Sequence, residues 1–230
     1  VIAALAAVSA FQPLEEASWA LRNNLFPSDV SGKVVLVQVD GETEEARINR
    51  LGQTINALSK LAPKRVLLAT DAQSVDRLLK APVFRAGMIR LGPKLIVPLS
   101  SGELDKETEL SRSRAVAPFT PTLNMEQTAT ASPFGMVWHY AYGAHLGQSY
   151  VRSEAAFVAE ITEQRTGSFL IDYSYRMNEL PSFSVNDNSL IEFVPSVIQY
   201  KSVIVSYGGS VEALRANLPG QSFLPTQNYL

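Results

Sequence analysis

Cysteine does not occur anywhere in the 230 residues. That excludes disulfides, a thiol nucleophile and thiolate metal sites, and it agrees with an oxidising, exported compartment. Histidine is nearly absent: His139 and His145 are the only two, and their separation is not the i, i+4 spacing that places two ligands on one helix face. An excess of charge is missing as well. Twenty Lys and Arg face 22 Asp and Glu, for a formal charge of −2, so the sequence shows no basic footprint for a phosphate backbone and no basic helix for an anionic membrane surface. Nucleic acid is therefore not expected as a partner. The sequence also lacks the P-loop, the dinucleotide fingerprint and the GxSxG elbow, so no catalytic residue, metal or cofactor is expected.

What is present is enough apolar residue, 46% of the chain, to bury a full core in a single domain. The opening run VIAALAAVSAF is uncharged but falls short of the roughly 20 residues that span a bilayer, and no other segment is long and apolar enough. Residues 1–12 read as the outer end of a transmembrane helix or as the end of a signal peptide, since Val8-Ser9-Ala10 has the small-residue form of a cleavage site. A buried Ala-rich helix is the alternative. Residues 13–230 then form one domain.

Pro13, Glu15 and Glu16 suit a helix start and Pro27 enforces its stop, which predicts an amphipathic helix over 13–26. Leu14, Leu21 and Leu25 share one face, whereas Trp19 and Phe26 lie on another. Two apolar faces suit packing on the domain and on a second protomer, so these five residues are the candidate dimer interface; burial of both faces within one domain is the other reading.

Lys33 to Asp40 (KVVLVQVD) reads as a buried strand and Glu44 to Leu61 as a helix with its stripe at Ile48, Leu51, Ile55 and Leu58. With a strand at Arg65 to Leu68 this makes a parallel βαβ unit. A short helix starting at Val75 and a strand at Lys94 to Leu99 follow, then a polar excursion from Ser100 to Thr130. Strands at Phe134–Tyr142, Phe169–Tyr173 and Lys201–Tyr207 and helices at Glu154–Ile161 and Val211–Ala216 complete the pattern. The fold class is α/β, a mixed and largely parallel sheet covered by helices on both faces.

In such a sheet, ligands bind at the carboxyl ends of the strands. Asp40 ends the first strand, Asp71 follows the second and Ser100-Ser101 follows the third, which makes these four the candidate ligand contacts. A carboxylate pair there suits a cation or a hydroxylated or cationic small molecule; a helix-capping or loop-tightening role for each Asp is the competing reading. Ser206-Tyr207-Gly208-Gly209-Ser210 can cradle an anion or simply turn the chain. Tyr173, Tyr175 and Arg176 can present aromatic faces and a planar cation to a ligand, or fill a core.

Phe169 to Tyr207 reads FLIDYSYRMNELPSFSVNDNSLIEFVPSVIQYKSVIVSY. Ile171-Asp172-Tyr173, Leu180 to Ser184, a helix at Asn188 to Phe193 and the strand at Tyr200 to Tyr207 follow an order that resembles the second type of CHASE domain, with its "INYRGP…FPxISFxDVL…LRGKIVLIG" pattern. Asp40 and Asp71 occupy the two acidic positions of the opening half of that pattern. The resemblance implies the extracytoplasmic sensory domain of a membrane-bound bacterial signalling protein, on the periplasmic or extracellular side of the inner membrane. Its output module would be a diguanylate cyclase or phosphodiesterase of cyclic di-GMP signalling, or else a histidine kinase or adenylate cyclase. It implies a homodimer, a small-molecule or protein ligand, no catalysis within the domain, and a juxtamembrane helix that relays the signal. A stand-alone exported α/β enzyme or solute-binding protein is the alternative, and a dimerisation module without ligand is a third.

Overall fold

The computed structural model describes residues 18, 31–70, 72–99, 118–123, 128–131, 137–170, 180–186, 191–207, 215–218 and 221–225. Strand β1 (Val34–Val39) sends Val35, Val37 and Val39 into the core, all fully buried, while Leu36 and Gln38 take the other face. Period-two alternation of β-branched residues is what fits a pleated strand between two layers. Helix α1 (Glu44–Ser59) follows; Thr43 caps it by accepting from the Ala46 N–H at 3.2 Å, and Glu44 and Glu45 sit against its positive end. Leu51, Ile55 and Leu58 of α1 are fully buried.

Strand β2 (Arg65–Ala69) leads to α2 (Ala72–Lys80) and then to α3 (Pro82–Leu91), a helix that the sequence reading does not anticipate. Its signals are present: Pro82 in the first turn, then Phe84, Met88 and Leu91 at helical spacing, all buried. A 3-10 turn (Gly92–Lys94) feeds β3 (Leu95–Pro98). Within the segment read as a polar excursion, β4 (Thr120–Thr122) extends the sheet by pairing parallel to β3.

Smaller elements come next. β5 (Ala129–Ala131), β6 (Val137–Ala141) and β9 (Ser168–Leu170) form an antiparallel sheet in the order β5-β6-β9, and β7 (Gly143–Leu146) and β8 (Ser149–Arg152) form a hairpin. Helix α4 (Glu154–Val158), capped by Ser153, is shorter than expected because Glu160 turns the chain at φ 59°. β10 (Ser182–Val185), α5 (Pro195–Ile198) and β11 (Ser202–Tyr207) return to the main sheet. Ile191–Val194 are not helical, so the helix expected up to Phe193 lies instead at α5, where Pro195 starts it. Residues 215 and 216, expected in a helix, belong to strand β12 (Arg215–Leu218), antiparallel to β13 (Gln221–Pro225) across a Pro-Gly turn signal.

The main sheet has six strands in the order β10-β1-β11-β2-β3-β4, and all five ladders are parallel. The fold is α/β, as the residues imply, with the antiparallel pairings confined to separate small sheets. β11 lies between β1 and β2, so the expected βαβ unit skips one position. On one face Val35, Val37, Val66, Leu68, Val203 and Val205 pack beneath α1, α2 and α3. On the other, Leu67, Ala69, Ile96 and Ile204 meet Phe157 of α4.

Two features hold these layers. Helices α1 and α3 meet at glycines: a Cβ on Gly52 would stand 2.8 Å from Val83, and one on Gly87 would stand 2.6 Å from Ile55. On the opposite face α4 is tethered to β2. Arg65 donates to the Phe157 carbonyl, Lys64 pairs with Glu160, and the Arg152 guanidinium lies 4.3 Å from the Phe157 ring centroid. A cation at the helix carboxyl end also complements its dipole.

Gly87→Ala would ordinarily stabilise a helix by about 0.5–1 kcal/mol. Here Ile55 is fully buried and cannot yield, so a net loss of about 1–3 kcal/mol is expected from urea unfolding; a gain in stability would disprove the close contact. Glu160 gives a pH signature. Its hydrogen bond with Lys64, reinforced by the charges of Lys64, Arg65 and Lys33, holds its carboxyl below the ordinary value of 4.5. A lowered folded-state value means that the contribution is complete above the unfolded-state value and fades as pH falls through the folded one. Because the pair is about half exposed, the effect is small. Glu160→Gln should flatten the decline in melting temperature below pH 4.5, and an unchanged acid profile would contradict the pairing.

Candidate functional site at the carboxyl edge of the sheet

Six parallel strands deliver six chain positions to one edge. Asn186 follows β10, Asp40 follows β1, Tyr207 ends β11, Thr70 follows β2, Leu99 follows β3 and Leu123 follows β4. The Asp40 backbone is fixed by its N–H donating to the Val185 carbonyl at 2.8 Å, and its side chain is exposed. Glycine is required next: a Cβ on Gly41 would come 2.8 Å from the Arg47 nitrogen, because the β1–α1 loop lies against the first turns of the helix. Arg77 in the last turn of α2 pairs with Glu44 in the first turn of α1.

Three readings of Asp40 are open, ligand contact, helix cap and loop tightening, and the cap of α1 is Thr43. Asp40 is thus left exposed at the mouth of the edge with no capping duty. Sequence reasoning also set the ends of β1 and β2 side by side. β11 separates them, so Asp40 and Thr70 stand two strand spacings apart, roughly 10 Å. Asp71, Ser100, Ser101, Tyr173 and Arg176 lie outside the described residues, as do Gly208-Gly209-Ser210 and the dimer-interface candidates Leu14, Trp19, Leu21, Leu25 and Phe26.

The edge holds further polar residues, of which the sequence reading singles out only Ser206, as part of a candidate anion cradle. Gln38 pairs in register with Ser184 on one side and Ser206 on the other, which makes a polar row across β10, β1 and β11 on the face opposite α1. Gln38 and Ser184 are exposed and Ser206 is buried. Thr70, 5% exposed, has its Oγ1 buried without a hydrogen-bond partner. A lone Gln within VVLVQV was the available signal, because an amide on an otherwise apolar strand face needs a polar neighbour. On the face opposite α1, the Gln38 amide and the Ser184 hydroxyl, with the Asp40 carboxylate at the strand end, offer donors, acceptors and one negative charge. That set suits a hydroxylated or cationic small molecule.

Both histidines stand on the antiparallel pieces. His139 lies in β6 opposite Thr130 and Leu170, and exposed His145 in β7 meets the Tyr150 ring edge-on at 5.3 Å. Among the described residues no group of three or more His, Cys, Asp or Glu is placed to hold a metal ion, and no helix is long and apolar enough to cross a membrane. Compared with protein-family models, with curated proteins and with solved structures, the chain matches none.

Asp40→Asn should leave the unfolding free energy within about 0.5 kcal/mol of the parent, whereas Thr43→Ala should cost about 1 kcal/mol. Chemical denaturation of the two variants checks this, and the reverse ranking would return Asp40 to a structural role.

Proposed function

We propose that this chain is the extracytoplasmic sensory domain of a membrane-anchored bacterial signalling protein, and that it takes a small hydroxylated or cationic ligand at the carboxyl edge of its parallel sheet. The observation that carries the reading is how the strands are shared out. The segments that resemble the sensor pattern, Leu180 to Ser184 and Tyr200 to Tyr207, supply β10 and β11, and these two strands flank β1 on either side. The parts of the sequence that look like a sensor are therefore the parts that build the edge bearing Asp40, Gln38, Ser184 and Ser206.

The domain itself carries out no reaction on this reading. Its role is to bind, and the consequence of binding passes through a homodimer joined along the helix expected over residues 13–26. A ligand can shift two arrangements of such a dimer only if its affinity differs between them. Output then belongs to a module on the cytoplasmic side, of the cyclase, phosphodiesterase or kinase kind.

Location is the decisive test. In spheroplasts expressing the complete natural protein, added protease should remove this domain while a cytoplasmic marker survives, and protection of the domain would overturn the reading. Binding is tested separately by screening polyols, amines and amino acids for thermal stabilisation, which mass action requires of any ligand selective for the native state. Asp40→Asn should abolish the shift given by a hit while leaving the unliganded melting temperature in place. Turnover of a hydrolase substrate lost on Asp40→Asn would instead favour an exported enzyme.

A further inference from the structure

Each of the four central strands of the main sheet is entered through a lysine. Lys33 precedes β1, Lys201 precedes β11, Lys64 precedes β2 and Lys94 precedes β3. They are scattered along the sequence, yet parallel pairing brings them to one edge. The backbone shows the alignment: Ser202 N–H donates to the Lys33 carbonyl at 3.0 Å and Lys64 N–H donates to the Lys201 carbonyl at 2.9 Å. The register Val34, Ser202, Arg65 puts Lys33, Lys201 and Lys64 at one level, and the register of Val66 with Leu95 sets Lys94 beside Arg65. With strands roughly 4.8 Å apart the row runs for about 15 Å. Lys33, Lys64 and Lys94 are exposed and Lys201 is half-buried.

The ion pairs place Glu160 at this edge, hydrogen-bonded to Lys64 and 3.8 Å from Arg65, and the charge of Lys33 also acts on it. Among the described residues, Glu160 is the carboxylate paired with these cations, and Lys33, Lys64, Arg65, Lys94 and Lys201 outnumber it in a chain whose net charge is −2. Tyr200 stands beside Lys201 and is 75% exposed. Its φ of 60° is a left-handed conformation that a tyrosine seldom adopts, and its N–H is held by the Ala62 carbonyl at 3.2 Å. An exposed tyrosine within a lysine row is the composition of a membrane-interface anchor, with an apolar ring, a polar tip and compact cations for phosphate.

We infer that the amino edge of the sheet, with Lys33, Lys64, Lys94, Lys201 and Tyr200, is a docking surface for anionic phospholipid headgroups. The inference rests on the membrane-anchored reading above, because the chain reaches β1 through Ser31-Gly32-Lys33 at this same edge, so a tether ahead of β1 brings the row to the bilayer. Lysines aligned as point charges, with Arg65 engaged by the Phe157 carbonyl and Glu160, favour a lipid surface over a nucleic acid.

The test is co-sedimentation of the full 230-residue chain with vesicles of phosphatidylcholine alone and with about 30 mol% phosphatidylglycerol, at about 0.05 M and about 0.3 M salt. Phosphatidylglycerol should strengthen binding in a salt-sensitive way. The triple variant Lys33→Gln, Lys64→Gln, Lys201→Gln should lose about 100-fold of that increment, at about fivefold per lysine, with binding to pure phosphatidylcholine unchanged. Glu160→Gln, which removes the counter-charge, should gain about fivefold. Equal binding to both vesicle types overturns the inference, as does a phosphatidylglycerol increment that neither variant alters, or duplex DNA outcompeting the vesicles. Protease accessibility in spheroplasts decides the sensor reading independently, so an exposed domain without headgroup affinity refutes this inference alone.

Discussion

The position of β11 between β1 and β2 is the constraint on which the rest of the structure depends. All six residues of β11 are buried, and the strand is hydrogen-bonded along both sides, to β1 over Val34–Val39 and to β2 over Arg65–Ala69. Without it, two inner strand edges would face each other across an empty slot with their N–H and C=O groups unpaired. The slot stays open until the chain has passed through β3, β4, β5 to β9 and β10. Such long-range parallel pairing bears its loop-closure entropy before any contact compensates it, which predicts slow folding. The same insertion brings Ser206 beside Gln38, and Lys201 beside Lys33 and Lys64.

Strand direction turns this pairing into chemistry. Because all six strands run the same way, every strand start lies on one edge and every strand end on the other. The acidic residues Asp40, Glu42, Glu44 and Glu45 follow β1 at the carboxyl edge, where α1 presents its positive end; the lysines gather at the amino edge, where α1 and α3 end. Helix dipoles favour this sorting, yet they act only over the first and last turns. They do not account for Lys201, which enters β11 after the four-residue α5.

Much of this frame was legible in the sequence. KVVLVQVD and KSVIVSY declare buried strands by β-branched runs, and the stripe of α1 follows from Leu51, Ile55 and Leu58 at helical spacing. Other parts were not. Nothing local in YKSVIVSY says that this strand enters the middle of the sheet, since insertion is decided by which neighbours remain unpaired. The short β4 inside a polar stretch carries no hydrophobic signal, as Thr120-Pro121-Thr122 shows. Helix α3 was missed although Pro82, Phe84, Met88 and Leu91 mark it. Of the site, Asp40 was read at its observed place, but Gln38, Ser184 and Ser206 form a row only through strand register, and register is a property of pairs.

On the proposed reading, ligand and membrane act at opposite edges of one sheet. Six residues of β1 at roughly 3.3 Å each put about 20 Å between them. The span is crossed by parallel strands whose core residues Val35, Val37, Val203 and Val205 are fully buried, packed beneath α1 with α3 locked to that helix at Gly52 and Gly87. A close-packed interior of this kind does not deform in small graded steps. A ligand at Asp40 therefore has little means of changing the amino edge from within the sheet. What it can change is how the whole sheet is oriented, against a second protomer or against the headgroups under its lysine row. Signal transfer on this fold is then a rigid-body matter: the sheet acts as a lever whose two ends carry opposite charge, and the bistable element lies between protomers and not inside one.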